Sequence, residues 1–292
     1  MTREISYLYC GGKMWPRLIV SLWTLRKHWD GVVRVYCATQ RDADWIRPTC
    51  DTLNCEIVLM GRPDTNGSSP RGKCALTSHV VAENAVYIDA DTVVEGSLEP
   101  MFGYELALTS HGDWTTEGRR VREQLQFYRG VSKWLDELIE IQLGGAYPHI
   151  NAGTFAFMRD SRMLEKWREI VTEVVRVGAI VPPAPKNTSV VPADTAFQLL
   201  TGLYVPTILD DRFNCCCRHG LTWEEPVVRH YCGRRHGRNN REWRWAFLEC
   251  REINLGGICD HPRRYDMETR NMLIRHEKGG YDPITGYSLG RL

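Results

Sequence analysis

The stretch V-Y-I-D-A-D-T-V-V, running from Val86 to Val94, places two carboxylates one residue apart where one apolar, β-type run ends and another begins. Carboxylates leaving a buried strand repel each other and resist desolvation, so the pattern calls for a positive partner between Asp89 and Asp91. On an extended segment residues i and i+2 point the same way, which lets both side chains converge on one hard cation. Oxygen ligands suit magnesium or manganese, and manganese also accepts an imidazole. His230, in V-V-R-H-Y-C-G after a short apolar β-type stretch, is the candidate third ligand from elsewhere in the chain. The bare tripeptide is a weak signal, because 16 aspartates in 292 residues yield roughly one D-x-D by chance. The chain carries its own control in Asp42-Ala43-Asp44, at a polar helix start beside Arg41, where two carboxylates suit the helix dipole and need no metal.

Upstream of the acidic stretch, I-S-Y-L-Y-C ends at Gly11-Gly12, and Pro16 opens P-R-L-I-V-S-L-W-T-L-R-K-H-W with apolar residues at helical spacing. V-V-R-V-Y-C-A reads as a second strand, D-A-D-W-I-R-P-T-C-D-T-L as a helix, and C-E-I-V-L-M as a third strand closed by Gly61. Arg62 to Gly72 is loop by composition, and K-C-A-L-T-S-H-V-V-A is a helix feeding the acidic strand. The alternation implies a parallel sheet with crossover helices, and such sheets gather ligands beyond the carboxyl ends of their strands, where Asp89 and Asp91 stand. Downstream, E-L-A-L-T-S is a short strand, and R-V-R-E-Q-L-Q-F-Y to W-L-D-E-L-I-E-I-Q-L is helix interrupted at Gly130. I-N-A-G-T-F-A-F-M, Ile150 to Met158, is a strand that begins in a tight Asn-Ala-Gly corner, followed by the helix M-L-E-K-W-R-E-I-V-T-E-V-V. After a Pro-rich loop, Asp194 heads A-D-T-A-F-Q-L-L, where a carboxylate either faces a ligand or caps the helix.

Composition, 43% hydrophobic and 25% charged, is that of a globular protein and excludes general disorder. No window approaches the roughly 18 consecutive apolar residues of a membrane helix, and the N-terminus lacks the apolar core of a signal peptide, so a cytoplasmic protein without a membrane partner is expected. Eleven cysteines without a C-x-x-C pair point to reduced thiols rather than a disulfide framework. Cys215, Cys216 and Cys217, with His219, His230, Cys232 and His236, offer zinc ligands in principle, although structural zinc sites show tighter paired spacing. Net charge is +1, yet Arg212 to Leu292 carries 15 Lys+Arg against 10 Asp+Glu, and the residues before it 22 against 26. A solvated basic surface is the common cause of such a tail. Arg234, Arg235, Arg238, Arg241 and Arg244 beside Trp243 and Trp245 would also suit nucleic acid, with arginines on phosphates and a ring stacked on a base. From Arg241, R-E-W-R-W-A-F-L shows no clear amphipathic stripe, which argues against a lipid-anchored acceptor.

Five segments, in order, resemble family 8 glycosyltransferases of the glycogenin and lipopolysaccharide-galactosyltransferase type. Y-I-D-A-D-T-V-V-E-G-S-L-E-P-M-F resembles the family's metal motif, with Lys73 ahead of it in a helix like the family's. I-N-A-G-T-F-A-F-M resembles its Asn-Ala-Gly strand, P-A-D-T-A-F-Q-L its Asp-containing helix start, D-R-F-N its Tyr-Asn segment, and H-Y-C-G-R-R-H-G-R-N its His-x-x-Gly-x-x-Lys-Pro-Trp-Asn signature. The resemblance covers the chain from the first strand to about Asn239 and implies a glycosyltransferase domain over residues 1–239, with a C-terminal extension of unknown role over 240–292. The fold it implies is a glycosyltransferase A-like, Rossmann-type mixed α/β sheet flanked by helices.

What the resemblance implies about chemistry is a retaining, metal-dependent transfer of a sugar from a nucleotide sugar, a UDP-sugar first, to a soluble hydroxyl on a glycan, a protein or a hydroxylated nucleic-acid base. Asp89, Asp91 and His230 would hold Mn2+ or Mg2+; Lys73, Cys10, Gly153, Gly233, Arg235 and His236 would meet the donor; Asp194 and Asn151 would face the reacting sugar. The chain departs from the pattern where the signature lysine falls on His236, where Gly237-Arg238 replaces Pro-Trp, and where Thr195 replaces a frequent Gln. Arg234, Arg235 or Arg238 can take over phosphate neutralisation, since arginine meets phosphate with a fork of donors. The alternatives are a zinc-stabilised nucleic-acid-binding module, resting on the Cys and His cluster, and a sugar-nucleotide pyrophosphorylase, of whose Gly-rich loop Tyr9-Cys10-Gly11-Gly12-Lys13 is a faint version.

Overall fold

The computed structural model describes residues 1–11, 14–61, 69–110, 123, 125–145, 149–178, 192–216, 225–231 and 241–260. In chain order the elements are β1 (Arg3–Tyr9), α1 (Trp15–Arg26), β2 (Val32–Cys37), α2 (Gln40–Thr52), β3 (Glu56–Leu59), α3 (Ser69–His79), β4 (Asn84–Ile88), β5 (Thr92–Val94) and β6 (Leu106–Ser110). They continue with α4 (Lys133–Gly144), β7 (Ile150–Met158), α5 (Arg162–Gly178), α6 (Pro192–Thr201), β8 (Thr207–Leu209), β9 (Cys215–Cys216), β10 (Val228–His230) and α7 (Arg241–Glu252). A seven-stranded sheet has the order β3-β2-β1-β4-β7-β6-β8, and a three-stranded one the order β5-β10-β9. β2 and β3 pair in parallel, as do β6 and β8, while β6 and β7 are antiparallel, so the sheet is mixed.

The chain divides into two compact units. The first comprises Met1–Ile5, Arg62–Tyr87 and Glu99–Asn214. Its core is aromatic: Trp167 stacks on Phe197 with centroids 4.4 Å apart, and Phe155 packs against both Phe197 and Tyr87 at 5.0 Å. α5 supplies the stripe Leu164, Trp167, Ile170, Val171, Val174 and Val177, all buried, which is the i, i+3, i+4 pattern of a helix lying on a core. Ser161 starts that helix by accepting from the Leu164 amide at 3.1 Å.

The second unit comprises Ser6–Gly61, Ile88–Leu98 and Cys215–Leu292. At the start of α2, Thr39 and Asp42 cap each other: the Asp42 amide donates to Thr39 Oγ1 at 3.1 Å and the hydroxyl donates to Asp42 Oδ2 at 2.7 Å. Asp44 accepts from Gln40 Nε2 at 2.6 Å. The control D-x-D is therefore a capped helix start, as its setting implies.

α7 corrects the sequence analysis. Trp243, Ala246, Phe247 and Cys250 are buried at i, i+3, i+4 and i+7, a complete amphipathic stripe, packed on α1. Glu249 ties the two helices by accepting from Trp23 Nε1 at 2.8 Å and Lys27 Nζ at 2.5 Å. Trp243 stacks on Phe247 at 5.0 Å, so its ring is spent on the core and does not offer a face to a nucleic-acid base. Beyond α7, Gly256 (φ 57°) approaches α2 so closely that a Cβ there would overlap Thr49.

Candidate metal and donor-sugar sites

β4 ends at Ile88, Asp89 follows it, Ala90 and Asp91 form a turn, and β5 begins at Thr92. The two carboxylates thus converge through a turn and not, as expected from the sequence, through alternation along one extended strand. Thr92 Oγ1 closes the turn by donating to the Asp89 carbonyl at 3.0 Å. β10 then pairs antiparallel with β5, setting His230 opposite Thr92, and the ladder continues as the Tyr231 amide donates to the Asp91 carbonyl at 2.8 Å. The register delivers the imidazole to the carboxylates: His230 Nε2 lies 3.5 Å from Asp89 Oδ2 and 3.3 Å from Asp91 Oδ1. His230 is only 3% exposed, and the three ligand atoms lie within 4.8 Å of one another. Two carboxylate oxygens and one imidazole nitrogen around a common point form a donor set that fits manganese or magnesium.

Arg17 is a partner that sequence reasoning missed. Its Nη1 lies 3.6 Å from Asp91 Oδ2. It belongs to a polar stripe on α1, at i, i+4 and i+7, that runs along the acidic turn and β5. Ser21 Oγ is 2.6 Å from Thr92 Oγ1 and 3.0 Å from the Tyr7 hydroxyl, and Thr24 Oγ1 accepts from the Val94 amide at 3.1 Å. Burial pushes the Tyr7 phenol up, so it stays protonated and the hydroxyl chain carries no charge. The available signal was three polar residues on one face of the otherwise apolar P-R-L-I-V-S-L-W-T-L.

The Asn-Ala-Gly corner lies in the other unit. β6 and β7 pair Leu108 with Phe155 and then Thr109 with Asn151, so Ala152, Gly153 and Thr154 bulge from that pairing. The Ala152 peptide is held at both ends: its amide donates to Asp194 Oδ1 at 2.8 Å, and its carbonyl accepts from Lys73 Nζ at 2.9 Å. The Gly153 amide donates to Asn151 Oδ1 at 2.8 Å, and Asn214 Nδ2 donates to that same oxygen at 3.0 Å and to Thr109 Oγ1 at 2.9 Å. Lys73, 5% exposed, also sits 5.0 Å from the Tyr87 ring centroid. Four predicted residues, Lys73, Asn151, Gly153 and Asp194, are thereby gathered on one bulge, with Thr109 as a support the sequence did not suggest. Asp194 occupies the first turn of α6, where the helix dipole favours a carboxylate, so its helix-start and bulge-holding roles coincide.

Cys10 follows β1 and is part-exposed; burial, reinforced by Asp42, pushes its thiol up to about 11, which keeps it neutral. Gly233, Arg235 and His236 lie outside the described residues, as do Arg234, Arg238, Cys217, His219 and Cys232. Among the described residues, the group of three or more His, Cys, Asp or Glu able to hold a metal is Asp89, Asp91 and His230. No described helix is long and apolar enough to cross a membrane.

No protein-family model and no curated protein matches the chain. Solved structures do. The galactosyltransferase LgtC, in complex with donor and acceptor sugar analogues, superposes with a TM-score of 0.52 at 16% identity, covering 87% of this chain and 95% of its own. The fold is glycosyltransferase A-like. The glycosyltransferase GlyE of Streptococcus pneumoniae TIGR4 superposes at 0.54 with 14% identity, over 91% of this chain and 65% of GlyE. An active-site mutant of LgtC gives 0.53 at 15% identity, over 84% and 95%. At these identities the likeness concerns the fold.

Proposed function

We propose that this chain is a metal-dependent, retaining glycosyltransferase that moves a sugar from a nucleotide sugar, UDP-linked, to a soluble hydroxyl acceptor. The observation that carries the proposal is the convergence of Asp89, Asp91 and His230 at the turn after β4 of a glycosyltransferase A-like fold. Those three side chains would hold the divalent ion, and Mn2+ or Mg2+ bound there supplies Lewis-acid stabilisation to a departing diphosphate. Cys10, Gly153, Gly233, Arg235 and His236 are assigned to the donor, with the basic segment neutralising phosphate charge left uncovered by the metal. Lys73 and Asp194 fix the Ala152 peptide, presenting Asn151 and Gly153 in one geometry, and Asp194 places negative charge for a sugar that gains positive character as its bond to phosphate breaks. Retention of configuration rests on the likeness of the Asn-Ala-Gly and Asp194 segments to the family. The acceptor is a soluble hydroxyl on a glycan, a protein or a nucleic-acid base; Trp243 is buried and offers no stacking face, whereas Trp245, 39% exposed, keeps one.

A screen of nucleotide sugars for thermal stabilisation with and without Mn2+ tests this, since a ligand of the native state raises Tm by mass action. A UDP-sugar is expected to raise Tm only when Mn2+ is present. No shift with any nucleotide sugar would refute the proposal.

A further inference from the structure

Each oxygen of Asp91 faces a cationic or cation-seeking group: Oδ1 lies 3.3 Å from His230 Nε2 and Oδ2 lies 3.6 Å from Arg17 Nη1. The arginine and aspartate side chains are 15% and 14% exposed, so salt and water screen their attraction far less than on an open surface. A fixed guanidinium so placed opposes a second cation on the same carboxylate, because like charges a few ångströms apart repel strongly where dielectric screening is poor. At 3.6 Å the contact is longer than the roughly 2.7–2.9 Å of a charge-assisted hydrogen bond, so with respect to Asp91 it is an electrostatic neighbour and not a tight clamp. The neighbouring stripe residues act on the backbone instead. Ser21 and Thr24 hold β5 through Thr92 and the Val94 amide, which leaves Arg17 as the member of the stripe that carries charge to the carboxylates.

We propose that Arg17 is a built-in counter-charge that keeps the divalent ion weakly bound on its own and lets it bind tightly only together with a diphosphate. The inference rests on the metal-dependent reading above. When a diphosphate arrives, its negative charge cancels the repulsion between Arg17 and the metal, and the guanidinium fork is matched to phosphate oxygens. Metal and nucleotide then bind with positive coupling, each raising the other's affinity by the same factor. Arg17 is in this sense a positioning residue for charge and not a metal ligand.

The test is calorimetric titration of Mn2+ into wild type, Arg17→Gln, Arg17→Lys and Asp91→Asn, each with and without UDP, with Tm recorded for every variant. Removal of one positive charge next to Asp91 is expected to tighten Mn2+ binding without UDP by about fivefold or more, and to shrink the gain produced by UDP from about tenfold to about twofold. Arg17→Lys, which keeps the charge, should follow wild type on both counts. A merely structural arginine cannot produce tighter metal binding when deleted. Unchanged or weaker Mn2+ binding in Arg17→Gln, with binding lost in Asp91→Asn, would overturn this inference alone. Absence of Mn2+ binding in wild type even with UDP present, or its persistence in Asp91→Asn, would overturn the metal reading and this inference together. If Arg17→Gln does not fold, Arg17→Met, which keeps the packing of the aliphatic stem, serves the same comparison.

Discussion

The Tyr231 amide donates to the Asp91 carbonyl at 2.8 Å, one residue beyond the β5–β10 pairing, so the ladder that aligns His230 also grips the acidic turn. Asp89→Asn, Asp91→Asn and His230→Ala should each lower Mn2+-dependent donor turnover by more than about 100-fold, beyond the effect typical of outer-shell partners. Asp42→Asn with Asp44→Asn, in the capped start of α2, should leave turnover nearly intact. Equal loss in both sets, with Tm unchanged, would remove the basis for a metal at this turn.

Asp194 separates geometry from charge. Asp194→Asn keeps an oxygen able to accept from the Ala152 amide, whereas Asp194→Ala leaves that buried amide without its side-chain partner. Both variants should depress kcat more than they raise the donor KM if, as proposed, the carboxylate acts on charge that develops in the transition state. Only the alanine variant should also lose stability, by about 1–3 kcal/mol. A stable alanine variant with full kcat would assign Asp194 no part in either.

Stereochemistry gives an independent check. An α-linked nucleotide sugar should yield an α-linked product, read from the anomeric proton by NMR. A β-linked product would show that the family likeness does not extend to mechanism.

Glu173 supplies a pH prediction away from both sites. Its carboxylate accepts from Arg176 Nε at 2.6 Å and Ser132 Oγ at 2.6 Å, and these two donors, Arg176 first, pull it down to about 2. A carboxyl lowered on folding adds stability that is fully present above its unfolded pKa and is lost as pH falls toward the folded value. Wild type should exceed Glu173→Gln in stability at pH 7 by no more than about 1 kcal/mol, given solvent screening. That margin should vanish in denaturation curves taken from about pH 5 down to about 2. A margin that persists at the acid end would assign the effect to packing.

The stripe on α7 predicts a sharp contrast between neighbouring aromatics. Phe247→Ala should cost about 3–5 kcal/mol, as for a filled core site, because its ring is fully buried and stacked on Trp243. Trp245→Ala, at a residue 39% exposed, should cost less than about 1 kcal/mol in urea unfolding.

Long periodic segments announce themselves in the sequence: α1, α5 and the strands that frame the acidic turn follow from spacing alone, and so does the contrast between Asp42 and Asp89. What stays hidden is local. Two strands, β8 with three residues and β9 with two, are too short to carry a period and exist because a neighbouring strand pairs with them. The α7 stripe is masked because two of its four buried positions are Ala246 and Cys250, weak signals among charged residues. The partner that Asp89 and Asp91 call for is inferable in kind, yet Arg17 is seventy-odd positions upstream in a helix whose apolar count conceals its polar face. Contacts of that sort depend on register and helix rotation, which composition does not encode.

The imidazole reaches the acidic turn on β10, far along the chain from β4 and β5. During vectorial synthesis the ribosome therefore releases Asp89 and Asp91 long before their third partner, and a nascent chain that stops short of residue 225 owns the carboxylates and Arg17 but no ladder to bring histidine to them. On the metal-dependent reading proposed above, loading of the ion would then be a late event, since a product truncated before β10 lacks the imidazole of the triad.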